Sequence, residues 1–230
     1  MGLDSIWIWD HFYPLSGNPN GNSYEAVSLL AALAGDTEHA SVGLMVACAT
    51  YRNPDLYAHA MTTIDHISGG RAILGIGGGW FERDFAEYGY EFGTAGDRLR
   101  RLEHDLKRIK ARVPKLRPKP LGALRICIGG GGEKFTLRLV AEHADMWNSF
   151  GPASNYRRKM RVLDEWCAKV GRDPNEIERS ANMRAPSVED VKSMVAAGVQ
   201  HLVCSTAPPY DLEPARRALE LARQEASVNA

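Results

Sequence analysis

Two stretches of this chain carry residues whose types and spacing point to chemistry. Asp10 and His11 close the apolar run Ser5-Ile-Trp-Ile-Trp9, where a strand hands over to a loop. An imidazole titrates nearest neutral pH of all side chains, which suits His11 to take up or release a proton during a reaction. Gly129-Gly130-Gly131-Gly132 stands between the apolar run Arg125 to Ile128 and a stretch, Lys134 to His143, whose apolar residues recur at helical spacing. Glycines let backbone approach a ligand closely, and free amides at a helix start face an anion such as phosphate or carboxylate. The loop has no nucleotide signature. A Walker pattern needs glycine where Lys134 stands, and the dinucleotide fingerprint ends on Lys134 in one register and on Trp80 in the other. Tyr51, Trp80 and Trp147 lie near other strand ends and are expected to wall a substrate pocket. The histidines include no HExxH, so no metal is expected. His59 and His66 fall seven apart on one helical face and read as a surface or subunit contact.

The elements that must position these residues alternate in type. Apolar runs at Ser5–His11, Ser41–Thr50, Arg71–Trp80, Arg125–Ile128, Ala144–Phe150, Ile177–Met183 and His201–Thr206 read as strands. Helical patterns fall between them at Tyr24–Ala34, Pro54–Ser68, Arg98–Arg112, Lys134–His143, Tyr156–Val170, Ser187–Ala197 and Leu212–Gln224. Such alternation means a parallel sheet covered by helices. The polar and glycine residues gather at strand C-terminal ends, which ring one mouth in a TIM barrel, whereas an open sheet concentrates function at one switch point. A barrel enzyme is the better reading.

The totals fit that reading. With 230 residues, 44% hydrophobic and 24% charged, the chain reads as one globular domain over residues 1–230. Lys plus Arg and Asp plus Glu both number 28, so nothing signals a nucleic-acid or anionic-membrane partner, and a small molecule is favoured. Cys48, Cys127, Cys167 and Cys204 form no CxxC pair, which suits a reducing cytoplasm. No run is apolar enough to signal secretion or membrane insertion.

Ordered motifs add a resemblance. GLDSIWIWDHF (Gly2 to Phe12), YRNP (Tyr51 to Pro54), TTIDHISGGRAILGIGGGW (Thr62 to Trp80), IGGGGEKFTLRLVAEHADMWN (Ile128 to Asn148), GRDPNEIERS (Gly171 to Ser180) and PPYDL (Pro208 to Leu212) resemble the bacterial luciferase-like family. Within it they most resemble the deazaflavin (coenzyme F420) dependent oxidoreductases. The resemblance implies a TIM-like (β/α)8 barrel with F420 or FMN across its mouth, passing hydride to or from a small organic substrate. It implies that His11 is the acid or base near the reactive ring, with Asp10 supporting cofactor contact or ring orientation. Met45 and Val46 match a bulged site that often holds a non-proline cis peptide. Gly78 and Gly79 match ring-contacting positions, and Gly129, Gly130, Gly131 and Gly132 match the loop that takes the cofactor phosphate. The family begins with a strand and helix before GLDS, so seven strands are counted here where a closed barrel has eight. A sugar-phosphate-oxidising branch has an acidic residue at the position of Trp80 and tryptophan at that of Leu15, so its substrate does not carry over. The connection from Val113 to Gly122 is much shorter than the family's usual excursion over the mouth. Related barrels pair, which implies a homodimer through Tyr24–Ala34 and Asp55–Ser68. The expected activity is F420-dependent oxidoreduction, with FMN-dependent monooxygenation and a non-catalytic flavin-binding barrel as alternatives.

Overall fold

Apolar runs become strands and amphipathic stretches become helices in the computed structural model, which describes residues 2–184, 186–207 and 210–228. Pro208 and Pro209 of the PPYDL motif lie outside the described residues. The chain divides into two units, residues 2–129 and 130–230.

The first unit runs β1 (Ser5–Ile8), α1 (Ala26–Asp36), β2 (Ser41–Leu44), β3 (Ala47–Cys48), α2 (Pro54–Ile67), β4 (Ala72–Gly77), α3 (Glu82–Tyr88), α4 (Ala95–Arg112) and β5 (Arg125–Gly129). Its strands pair in parallel: β1 on β2 with Ser5 opposite Ser41, β2 and β3 both on β4, and β4 on β5. All six residues of β4 are buried, as expected of a strand covered on both faces. β2 and β3 are the run expected as one strand from Ser41 to Thr50, interrupted where the Met45–Val46 peptide is cis. Helix starts follow their caps. Asn53 accepts from the amides of Asp55 and Leu56 ahead of Pro54, and Thr94 and Asp97 form a capping box at the head of α4. Leu102, Leu106 and Ile109 of α4 are fully buried, each contributing roughly 1.5–3 kcal/mol.

The short connection from Val113 to Gly122 lies away from the polar strand ends. Buried Asp65 accepts from the amides of Leu121 (2.7 Å), Gly122 (2.9 Å) and Ala72 (3.3 Å), which pins the connection beside the start of β4. That is the N-terminal end of the strand, opposite the end that carries Gly77 to Trp80, because a chain leaving α4 must return to the bottom of the sheet before entering β5.

The second unit runs α5 (Thr136–His143), β6 (Met146–Phe150), α6 (Ala153–Val170), β7 (Glu178–Arg184), α7 (Val188–Val195), β8 (His201–Ser205) and α8 (Glu213–Val228). β6, β7 and β8 pair in parallel order. Gly171 ends α6 at φ 71°, the left-handed cap that only glycine adopts without strain, and Ser187 with Asp190 caps α7. With β2 and β3 taken as one interrupted strand, the described residues hold the seven strands that the sequence reading counts.

Candidate active site

β1 ends at Ile8, so Asp10 and His11 stand in the loop beyond it rather than in the strand. The His11 ring is held from three sides. Its Nδ1 lies 2.7 Å from Asp84 Oδ2, and the rings of Trp80 and Phe81 meet it edge-on, each 5.6 Å between centroids. Asp84 is wholly buried on α3, and it also accepts from the Phe12 amide (3.3 Å) and the Tyr51 hydroxyl (3.2 Å). Burial first, and then nearby Cys48 and Asp84, push the Tyr51 phenol far above its ordinary value, so it stays a neutral donor. The His11 side chain keeps 15% of its surface exposed, enough for one ring edge to meet a small molecule.

Asp10 is held separately from the His11 ring. It is buried, and Arg52 grips it with two hydrogen bonds of 2.6 and 2.8 Å while the Cys48 amide donates at 3.0 Å. Arg52 also reaches Glu25, the residue that caps α1. The carboxylate therefore braces the β1 loop against β3 and α1, and it makes no hydrogen bond with His11.

Val46 projects over a floor of glycines. A Cβ at Gly77 would lie 2.7 Å from a Val46 methyl and one at Gly129 would lie 2.8 Å from it, both closer than real Cβ contacts come. The missing side chains are what admit the bulge. Gly79 has φ +77°, and a Cβ there would overlap the Cys48 sulfur. Burial pushes the Cys48 thiol up to about 11. Gly78 has no such constraint, since a Cβ there meets only ordinary contacts with Leu99 and Arg98.

In the second unit, the Gly130 amide donates to Asn148 O (3.0 Å) and its carbonyl accepts from the Trp147 indole (2.7 Å). That fixes one edge of the loop. The amides of Gly131 and Gly132 donate to no acceptor among the described residues. α5 starts only at Thr136, so these amides belong to the loop and not to the first helical turn. Lys159 of α6 lies so close over Gly131 that a Cβ there would overlap its ammonium. Burial, with Arg158 beside it, pulls the Lys159 amine below its ordinary value, and no carboxylate pairs with it among the described residues. Two unspent amides and an unpartnered ammonium fit a phosphate group.

Of the expected pocket walls, Trp80 is 63% exposed beside His11, whereas Tyr51 (5%) and Trp147 (0%) are interior. Tyr51 spends its hydroxyl on Asp84. Trp147 stacks on Tyr156 at 5.0 Å and supports the glycine loop from below. Asp84 and Lys159 are the residues that sequence reasoning missed. No cluster of three or more His, Cys, Asp or Glu side chains suited to a metal ion occurs among the described residues.

An F420-dependent glucose-6-phosphate dehydrogenase of Amycolatopsis mediterranei is 35% identical over 111 residues, 48% of this chain and 33% of that protein. A 5,10-methylenetetrahydromethanopterin reductase of Archaeoglobus fulgidus is 30% identical over 229 residues, 92% of this chain and 65% of its own length. The chain thus spans between a third and two thirds of these curated relatives. Among solved structures, an F420-dependent secondary alcohol dehydrogenase in complex with an F420-acetone adduct superposes with a TM-score of 0.75 at 16% identity, covering 97% of this chain and 82% of that one. This likeness fixes the fold class as the expected TIM-like α/β barrel, in partial form. The profile of the luciferase-like monooxygenases matches residues 1–228, and the chain belongs to that family.

Proposed function

We propose that this chain is an oxidoreductase that works with coenzyme F420 on a small organic substrate. The observation that carries the reading is the pairing of the open Gly131 and Gly132 amides with the Lys159 ammonium, a cradle chemically suited to a cofactor phosphate. The F420-dependent relatives supply the choice of cofactor.

When bound, F420 supplies a two-electron carrier that exchanges hydride with a substrate carbon. This chain's residues bind, orient and manage the proton. In the second unit the Gly131 and Gly132 amides with Lys159 would hold the phosphate, while Gly130 fixes the loop edge through Asn148 and Trp147; in the first unit Gly129 admits the Val46 bulge, and the Met45–Val46 bulge with Gly78 and Gly79 would contact the ring. His11 Nε2 gives or takes the proton at the substrate heteroatom, with Trp80 and Phe81 edge-on to its ring. A positioned acid or base of this kind contributes about a hundred- to ten-thousand-fold. FMN is the second reading, because its ribityl phosphate would meet the same cradle. A homodimer is proposed through α1 and α2, where Leu56 (62%) and Ile67 (47%) of α2 are exposed apolar side chains. A cytoplasmic setting is proposed from Cys48 and Cys167, buried free thiols that a reducing compartment preserves. No helix among the described residues is long and apolar enough to cross a membrane.

Titration of the purified protein with F420 and FMN, followed by turnover with simple alcohols and enones, tests the reading. Saturable F420 binding with turnover is expected. Absence of F420 binding overturns it.

A further inference from the structure

The buried group closest to the chemistry that the proposed function leaves unused is Asp84. Its carboxylate receives the His11 ring, the Phe12 amide and the Tyr51 hydroxyl. The amide can only donate, and the phenol stays protonated because burial disfavours its charged form. Three groups converging on two oxygens at zero exposure are satisfied together when the carboxylate is ionised and acts purely as acceptor. The His11 nitrogen that faces it must then carry hydrogen.

We infer that Asp84 is the positioning residue of His11: it holds the imidazole in the Nδ1–H tautomer and turns Nε2, as the sole proton-accepting nitrogen, away from the carboxylate. The inference rests on the reading of His11 as the acid or base. The geometry bears on orientation as well as tautomer. The hydrogen bond to Asp84 at 2.7 Å fixes one ring edge, and Trp80 and Phe81 flank the ring at interplanar angles of 69° and 81°, which leaves little freedom about the ring's axis. Tyr51 acts at one further remove. Its hydroxyl holds the Asp84 oxygen that His11 uses, and its ring stacks edge-on against Phe85 at 5.1 Å, one residue along α3. A carboxylate used this way lets neutral histidine accept a proton at a defined atom and stabilises the imidazolium that results.

The test is nitrogen-15 NMR of the full chain with labelled histidine, without cofactor, at a pH where His11 is neutral and with its signals assigned by His11→Gln. We expect Nδ1 to show the protonated and Nε2 the lone-pair signature in the wild type. In Asp84→Asn the side-chain amide can present its NH2 to the ring, and the Nε2–H form should gain population. Turnover of Asp84→Asn should fall toward that of His11→Ala, by about a hundred- to ten-thousand-fold, and the double variant should be no slower than His11→Ala alone. Asp84→Glu should recover part of the loss. A wild-type spectrum dominated by the Nε2–H form overturns the inference even if the Asp84 variants fail to fold. So does an unchanged tautomer ratio in a folded Asp84→Asn. Normal turnover in His11→Ala would instead remove the proposed role of His11 while leaving the spectra to judge Asp84 separately.

Discussion

Replacing Asp10 by alanine separates an architectural carboxylate from a catalytic one. Asp10 is 2% exposed, and Arg52, whose side chain is 17% exposed, gives it two hydrogen bonds. Removing one partner of a buried pair costs about 3–5 kcal/mol, and we take the lower end, about 3 kcal/mol, because Arg52 keeps Glu25. The Cys48 amide loses its acceptor as well, adding about 1 kcal/mol. A loss near 4 kcal/mol, at roughly 2–4 °C per kcal/mol for a chain of this size, lowers Tm by about 8–16 °C. The second arm is Arg52→Met in the Asp10→Ala background, which removes the stranded cation and should recover a large part of the loss. Calorimetric melts of the two single variants, the double variant and the wild type complete a cycle whose coupling energy belongs to the pair. An Asp10→Ala melt within about 2 °C of wild type would refute the brace, since that is less than roughly 1 kcal/mol. A double variant no more stable than Asp10→Ala would refute the stranded-charge argument.

The remaining predictions concern the site and its acid sensitivity. His11→Ala should keep F420 affinity and lose about a hundred- to ten-thousand-fold in turnover, measured as kcat with saturating cofactor; near-normal kcat counts against the role of His11. Lys159→Ala should weaken F420 binding by about ten- to a hundred-fold, as loss of a charge-assisted hydrogen bond does, and Gly131→Val should act in the same direction by displacing the Lys159 ammonium; fluorescence titrations showing unchanged affinity for both variants would defeat the phosphate assignment. Glu25 is pushed up by burial but pulled down more strongly by hydrogen bonds from Ser28, Arg52 and Val27, from 4.5 to about 2. Its folded value lies below its unfolded one, so its stabilisation is present above pH 4.5 and drains away as pH falls toward 2. Glu25→Gln should therefore flatten the fall in Tm across that window, and melts with identical acid slopes would contradict this.

How much of this was legible in the sequence follows from what each residue depends on. His11 stood out because a strand end and an imidazole are both local features. Asp84 did not, because its meaning lies in a partner 73 residues earlier in the chain. It also sits on the seven-residue helix α3, too short for an apolar period to announce it. Lys159 is one cation among several on α6, and only its approach to Gly131 distinguishes it from its neighbours. The helix limits at Pro54, Val170 and Ser187 were readable because capping is settled within three or four residues. Tyr51 and Trp147 were read as pocket walls but are interior, Trp147 as the second residue of β6 and Tyr51 three residues past β3, since which way a side chain points depends on where the strand starts and stops. β1 illustrates this: it stops at Ile8, three residues before His11.

Cys48 also gives the molecule a built-in chemical clock. Its amide is tied to Asp10, its sulfur lies against the Gly79 backbone, and burial holds the thiol at about 11, so the reactive thiolate is scarce at neutral pH. An alkylating reagent meets this sulfur only when the Asp10 brace or the Gly79 turn opens. The half-buried Cys204 should be modified sooner. The labelling rate of Cys48 therefore counts openings beside His11, and a ligand that stiffens this corner registers as a slower count without any turnover being measured.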